Sequence, residues 1–304
     1  MAIFGKSAED NQPTAGPLSK RQNAALAKSR EALTVGALEE KLLKMFPASQ
    51  AEDWDRTGLL VGERGLEVSA VAVALDPTVE AIREAAAAGA NVLLTHHPAY
   101  LTAPDSFSPE KSVAQSSGAG VWEAIRSRVA LVDFHTALDV SAQASHMLPN
   151  MLNLAFTGKF ACPLEGAKKL GYGQICDVHA EDKDMDLAHF AARATAVFKR
   201  QPRVWGAPDA RVSKVVTATG SLGNVGRAAL AAGCDTVVCG EIRYHEALDL
   251  SQAGMSIVEL GHDVSELGLT AILAEACLKA GVPEGDIIVL NQSDNWWLPE
   301  SIRL

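Results

Sequence analysis

A stretch near residue 70 returns near residue 212. With an offset of 144 (212 − 68), Val68–Gly89 lies on Val212–Gly233 without a gap. Matched positions include Val68/Val212, Ser69/Ser213, Val71/Val215, Ala74/Ala218 and Arg83/Arg227, and both stretches end Ala-Ala-Gly. Alanine matches alone carry little weight between two alanine-rich helices. Strand, arginine and glycine matching together without a gap carry much more. A repeated supersecondary unit implies a chain folded as two similar halves.

The unit itself reads as strand–helix–strand. VSAVAVAL (68–75) is an apolar, β-branched run, expected as a buried strand. Asp76 and Thr78 offer capping groups and Pro77 sits at an early helical position. VEAIREAAAA follows as a strong helix former, Gly89 closes it, and NVLLT (91–95) is a second strand. Strands joined this way pair in parallel with a right-handed crossover. The expected fold class is therefore α/β, two topologically similar halves with a cleft between them. Their bounds are 33–150 and 151–304, with 150–170 as the connection. Residues 1–32 are polar, mixed in charge and carry Pro13 and Pro17, which predicts a disordered or partly helical tail. Val35, Leu38, Leu42 and Phe46 make a helical stripe after Thr34, which Pro47 ends. Further helices are expected over 186–199 and 270–280.

Composition narrows the function classes. The 304 residues are 48% hydrophobic, enough for a full core. A net charge of −10 argues against nucleic acid as the main partner, because neutralising phosphates needs a basic surface. No apolar run reaches the roughly 18–20 residues that span a bilayer, so no membrane partner is expected. The first residues lack a signal-peptide core, which makes the cytoplasm the expected compartment. The five cysteines form no C-x-x-C pair and are expected as reduced, packed thiols.

Histidines carry the chemistry. His96-His97 follows the strand NVLLT. Alternate residues of a strand face opposite sides, so this pair suits two neighbouring ions, unless the backbone bends. A lone pair of this kind is more often one buried and one exposed histidine. Two further clusters change that weighing: His135 precedes Asp139 and His262 precedes Glu266, each by four residues. Four residues along a helix bring imidazole and carboxylate onto one face. Imidazoles with carboxylates suit zinc, iron or manganese better than magnesium or calcium. A carboxylate bridging two ions matches two-metal hydrolytic sites. His146, His179 and His189 lack such partners and read as surface or packing residues. The segment 220–226 (GSLGNVG) follows a strand and opens a helix. It is an anion cradle or a tight turn, and the sequence leaves both open.

DWDRTGLLVG (53–62), ALDPT (74–78), LLTHHP (93–98), HTALD (135–139), GEIRYHEAL (240–248) and GHDVSE (261–266) together resemble the NIF-three-like family. Its members are also named GTP cyclohydrolase I type 2 homologues. The motifs occur in the family's order and cover about 33–290. The resemblance implies a dinuclear metal site formed by His96, His97, Asp139, His262 and Glu266. His135, Glu241 and His245 match positions lining the same pocket, with acid–base or supporting roles. It also implies a ring-shaped homohexamer with the sites facing an internal cavity. The 140–212 stretch leaves no room for the domain some longer members insert. Arg56, Glu241 and Asp263 depart from the family's usual asparagine, aspartate and aromatic, and the tail with Trp296-Trp297 departs from its usual ending.

Two functions compete at this point. One is a metal-dependent hydrolase with two divalent ions per chain and a small-molecule substrate, a nucleotide or a phosphoester. There His245 is the first choice for proton transfer and His135 the second. The other is a metal-binding or interaction protein without turnover.

Overall fold

The computed structural model describes residues 32–109, 116–293 and Trp296. The expected tail over 1–32 lies, but for Ala32, outside the described residues, as does Trp297. The first half runs α1 (Val35–Met45), β1 (Thr57–Val61), β2 (Val71–Ala74), α2 (Val79–Ala87) and β3 (Val92–Thr95). It continues through α3 (Ser116–Ser127), β4 (Ala130–Phe134), α4 (Thr136–Asp139) and α5 (Met147–Met151). Next come β5 (Leu154–Leu164), β6 (Ala167–Val178), α6 (Leu187–Phe198), β7 (Arg203–Trp205), β8 (Lys214–Thr217) and α7 (Val225–Ala231). The chain then forms β9 (Thr236–Cys239), α8 (Tyr244–Gln252), β10 (Ser256–Glu259), α9 (His262–Glu266), α10 (Leu269–Ala280) and β11 (Ile287–Val289).

Two sheets result, ordered β1-β4-β3-β2-β11 and β5-β6-β8-β9-β10-β7. Four strands run parallel in the first (β4-β3-β2-β11) and three in the second (β8-β9-β10), and in each an antiparallel edge strand closes one side: β1 on β4, β7 on β10. The repeat holds down to the hydrogen bonds. Val71 pairs with Val92, and Val215 with Thr236, so the offset of 144 (215 − 71, 236 − 92) survives in register. Asn91 accepts from the Ser69 N–H at 2.9 Å, and Asp235 accepts from the Ser213 N–H at 3.1 Å. Gly89 and Gly233 both take left-handed conformations, φ 84° and 74°, which favour glycine.

The central strands are buried on both faces, as parallel strands under helices must be. Val35, Leu38 and Leu42 of α1 and Leu269, Leu273 and Cys277 of α10 cover one face of the first sheet. Ile82 and Ala85 of α2 and Val121 and Ala124 of α3 cover the other. Each fully buried Val or Leu contributes about 1.5–3 kcal/mol. In the second sheet Phe190 and Ala194 of α6 face one side, and Ala229 and Leu250 the other. Thr34 caps α1 through its hydroxyl, and Thr78 caps α2. The expected helices over 186–199 and 270–280 appear as α6, capped by Asp186, and α10.

Two features differ from the sequence reading. The expected connection over 150–170 is largely sheet: β5 and β6 form a long antiparallel hairpin on the edge of the second sheet. Its alternation is blurred by Gly158, Pro163 and Gly166, which hid it. The chain also crosses back at its end, for α10 packs beside α1 and β11 pairs with β2 in the first sheet. The five cysteines are free, four of them buried, as their apolar surroundings predicted. Among the described residues no helix is long and apolar enough to cross a membrane.

Candidate metal centre

The carboxyl ends of the parallel strands from both sheets meet at one place, the edge where α/β sheets commonly bind ligands. His96 and His97 follow β3 on a bend, so strand alternation no longer applies to them. Their rings lie 4.9 Å apart between centroids and turn towards the same carboxylate. His135 precedes α4, which ends at Asp139. Beyond β10, Gly261 adopts φ 108° and α9 starts at His262. Four residues on, Glu266 lies with Oε2 3.2 Å from His262 Nε2, as the helical spacing predicts.

Glu266 is the hub. Its Oε2 lies 3.1 Å from His97 Nε2, and its Oε1 lies 3.7 Å from His96 Nε2. Asp139 Oδ1 lies 3.6 Å from the same His96 nitrogen. Every imidazole has its other nitrogen engaged. His96 Nδ1 donates to the Phe134 carbonyl at 3.2 Å. His97 Nδ1 meets Asp76 at 2.7 Å, His135 Nδ1 meets Asp55 at 3.0 Å, and His262 Nδ1 meets Glu241 at 3.2 Å. A carbonyl or a carboxylate only accepts, so each Nδ1 carries a proton and Nε2 is the nitrogen left to face a cation. Outer carboxylates and carbonyls orient metal-binding histidines in this way.

The donor set fits a cation. His96 Nε2 and Glu266 Oε2 are buried and have no aligned hydrogen-bond partner. Buried polar atoms are rarely left so, and an ion is one recognised explanation. Three groups could each hold a metal ion: His96/Asp139/Glu266, His97/His262/Glu266 and His96/His97/His135. Burial drives the His97 imidazole down, but Asp76 and Glu266 outweigh it and raise it to about 10. Glu266, with Glu241 behind it, raises His262 to about 9 against the same desolvation. Burial alone would raise Glu266, yet His262, His96 and His97 hold it well below the usual carboxylate range. The cluster thus draws positive charge, as protons or as a cation, and a binding cation displaces protons.

Glycines make room for these ligands. Gly220 takes φ 56°, and a Cβ there would overlap Glu266 Oε1. Gly240 leaves no space for a Cβ between the Gly220 carbonyl and the Ser265 hydroxyl. That hydroxyl accepts from Gly220 N at 2.9 Å and donates to the His262 carbonyl at 2.7 Å. The loop over 220–226 therefore serves as a close turn against the ligands. Two cavities flank the cluster. One, of about 610 Å³, is lined by Trp54, His135, Asp139, Tyr172 and Glu266. The other, of about 680 Å³, is lined by Asp76, His97, Glu241, His262 and Trp296.

The structure brings together His96, His97, His135, Asp139, His262 and Glu266, with Glu241 bound to His262 and to the Ser221 hydroxyl. His245 is placed elsewhere. It is exposed on the first turn of α8, stacks edge-on against Tyr244 and lines a surface depression that Glu241 and Ser221 also line. The turn through Ile242, which is buried, aims the helix start outward. The sequence pattern assigns no site role to Asp55 or Asp76. Asp55 and Asp76 stood within the motifs DWDRTG and ALDPT, and Asp76 read there as a helix cap. Asp263, one of the departures, pairs with Arg200, whose guanidinium stacks 3.9 Å over Trp296.

A family profile described as Duf34/NIF3 (NGG1p interacting factor 3) matches residues 33–295. The chain belongs to the DUF34/NIF3 family. Its DUF34/NIF3 relatives include a Clostridium acetobutylicum protein named GTP cyclohydrolase 1 type 2 homolog. That protein is 25% identical over 254 residues, covering 82% of this chain and 92% of the relative. A Streptomyces coelicolor protein of the same name is 32% identical over 203 residues, covering 66% and 70%. Among solved structures, a Staphylococcus aureus hypothetical protein superposes with a TM-score of 0.76 at 22% identity, covering 88% of this chain and 99% of its own. A Bacillus cereus protein related to NIF3 gives 0.75 at 20% identity, covering 88% and 100%. These likenesses show that the two-sheet fold is the DUF34/NIF3 fold.

Proposed function

We propose that this DUF34/NIF3 chain is a dinuclear metal-dependent hydrolase acting on a nucleotide or a phosphoester. The observation that carries this reading is the convergence of the His96, His97 and His262 Nε2 atoms on Glu266, with Asp139 beside His96 and each Nδ1 tied back. His96, Asp139 and Glu266 would hold one ion, and His97, His262 and Glu266 the other, with Glu266 shared. Divalent ions, when bound, supply Lewis acidity and bring the pKa of water towards neutrality.

The chain's own residues would do the rest. Asp76, Glu241 and the Phe134 carbonyl keep the imidazoles oriented. Trp54 and Tyr172 wall the cavity into which His135 faces. His135, at the edge of the cluster, would move a proton at Nε2. The family name borne by the relatives, GTP cyclohydrolase 1 type 2 homolog, supports a nucleotide among the candidates. Fold likeness by itself does not select a substrate. The ring-shaped homohexamer and the cytoplasmic compartment belong to the same proposal; light scattering near six times 32.1 kDa tests the first.

Metal analysis of protein supplied with zinc or manganese should give two ions per chain. Glu266→Ala should lose at least one. A screen of nucleotides and phosphoesters should then find turnover that His135→Ala lowers by about 10²–10⁴ with both ions retained. Wild-type protein holding no metal would sink the site. Two bound ions with no turnover across the screen would instead favour a metal-binding protein without catalysis.

A further inference from the structure

We infer that Asp55 is a positioning residue for His135. It holds the ring with Nδ1–H turned away from the cluster and keeps Nε2 as an unshared lone pair facing the first cavity. The use of that lone pair rests on the hydrolase reading; its geometry does not.

The Asp55 side chain is fully buried and saturated on both oxygens. Oδ1 accepts from His135 Nδ1 at 3.0 Å and from the Arg56 N–H at 2.7 Å. Oδ2 accepts from the Thr136 N–H at 2.9 Å and from the Thr136 hydroxyl. That hydroxyl also accepts from the Glu52 N–H at 3.0 Å, and its one hydrogen goes to Asp55. The Thr136 backbone N–H cannot reverse at all. Oδ2 therefore accepts from two donors, one of them a fixed backbone N–H. His135 must supply a proton at Nδ1, which fixes its tautomer.

Packing fixes its plane. Trp54 meets the His135 ring edge-on at 5.7 Å, and His96 and His97 meet it at 5.2 and 5.5 Å from the other side. His96, His97 and His262 each place Nε2 within 3.1–3.7 Å of a Glu266 oxygen. Among the described residues no ion-pair contact joins His135 to Asp139 or Glu266. His135 thus stands beside the ligand set, its ring held by a partner eighty residues earlier in the chain.

Asp55→Asn tests this directly. Either orientation of the amide gives up one backbone donor, Arg56 N–H or Thr136 N–H; the one that keeps its oxygen on the two Thr136 donors turns NH₂ to His135 Nδ1. That forces the proton to Nε2 and removes the lone pair. Ring-nitrogen NMR of histidine-labelled protein, assigned by the signals lost in His135→Gln, reads the tautomer. Wild type should show Nδ1–H for His135 both metal-free and zinc-loaded; Asp55→Asn should show Nε2–H with unchanged zinc content. On any nucleotide or phosphoester the wild type turns over, kcat should fall by about 10²–10⁴ with little change in KM. A bare Nδ1 in the wild type would overturn the inference. So would a zinc-induced shift at His135 Nε2 as large as that at His96, which would make His135 a ligand. The wild-type spectra decide even where Asp55→Asn does not fold. They also stand if no substrate is found, which would count against the hydrolase reading alone.

Discussion

The two halves share a strand–helix–strand unit and its strand register, yet their strand tips do opposite work. At the offset of 144, His96 corresponds to Gly240 and Asp76 to Gly220. In the first half those tips carry a candidate ligand and the carboxylate that orients its neighbour His97. In the second half they carry nothing beyond the backbone, and a side chain at Gly220 would strike Glu266. Two copies of one tip, each bearing bulky ligands, could not close on a common centre. The repeat supplies two matching edges, and the difference between them turns two edges into one site.

The largest expected effect breaks this comparison at its empty side. Gly220→Ala puts a methyl into the Glu266 carboxylate at a left-handed φ. Metal content should drop by at least one ion per chain. Gly89→Ala is the control in the first half: it too needs a left-handed residue, but open space surrounds it. It should cost about 1–2 kcal/mol of stability and leave metal binding intact. If both variants keep full metal content, the glycine tip does not exist to make room for Glu266.

A smaller effect is expected at the filled side. Asp76→Ala frees His97 Nδ1 and lets the imidazole turn. Affinity for at least one ion should fall about 10–100-fold, the usual cost of losing an orienting carboxylate. Titration with a competing chelator would measure it. An unchanged affinity would leave Asp76 as a loop residue and nothing more.

The smallest effect concerns the strand that precedes each His-x3-acid segment. Thr95 pairs with Asp133, and Cys239 pairs with Glu259, so the sheets equate Asp133 and Glu259. The edge strand β7 offers Arg203 to Glu259 at 2.6 Å, whereas β1 offers only Gly58 to Asp133. Both Asp133 oxygens are buried and unpartnered. Burial, with Asp55 nearby, pushes this carboxyl well above its ordinary value of 3.8. A raised carboxyl favours the fold fully below that ordinary value and loses the contribution as pH rises towards its folded value. Asp133→Asn is neutral at every pH, so it should melt higher at neutral pH, about 2–4 °C for each kcal/mol regained. The gain should vanish near pH 3. Glu259→Gln, which breaks a partly exposed pair, should cost up to about 1 kcal/mol. A lower melting temperature for Asp133→Asn would mean that this carboxyl has a partner.

The register also explains a small mismatch in the sequence. The strands align at an offset of 126 (259 − 133), whereas the two His-x3-acid segments align at 127 (262 − 135). The odd residue falls at Gly261, whose positive φ resets the chain before α9.

What the sequence by itself determined was local or repetitive. The βαβ units, the caps at Thr34 and Thr78 and the glycine helix stops follow from spacings of a few residues, where backbone hydrogen bonds act. The His262–Glu266 pair was legible for the same reason, since one helical turn sets its geometry. The remaining candidate ligands were legible as motifs, because their residue types and order resemble a family. Tertiary structure decided which side chains meet. It bent the chain after β3 so that two adjacent histidines face one carboxylate, and it carried α10 and β11 back to the first sheet. It turned His245 outward, although the residue stands only four positions after Glu241. It set Asp55 against His135 across eighty residues. Such meetings leave no periodicity in the chain, because they arise from the packing of whole layers rather than from any turn or stripe within one.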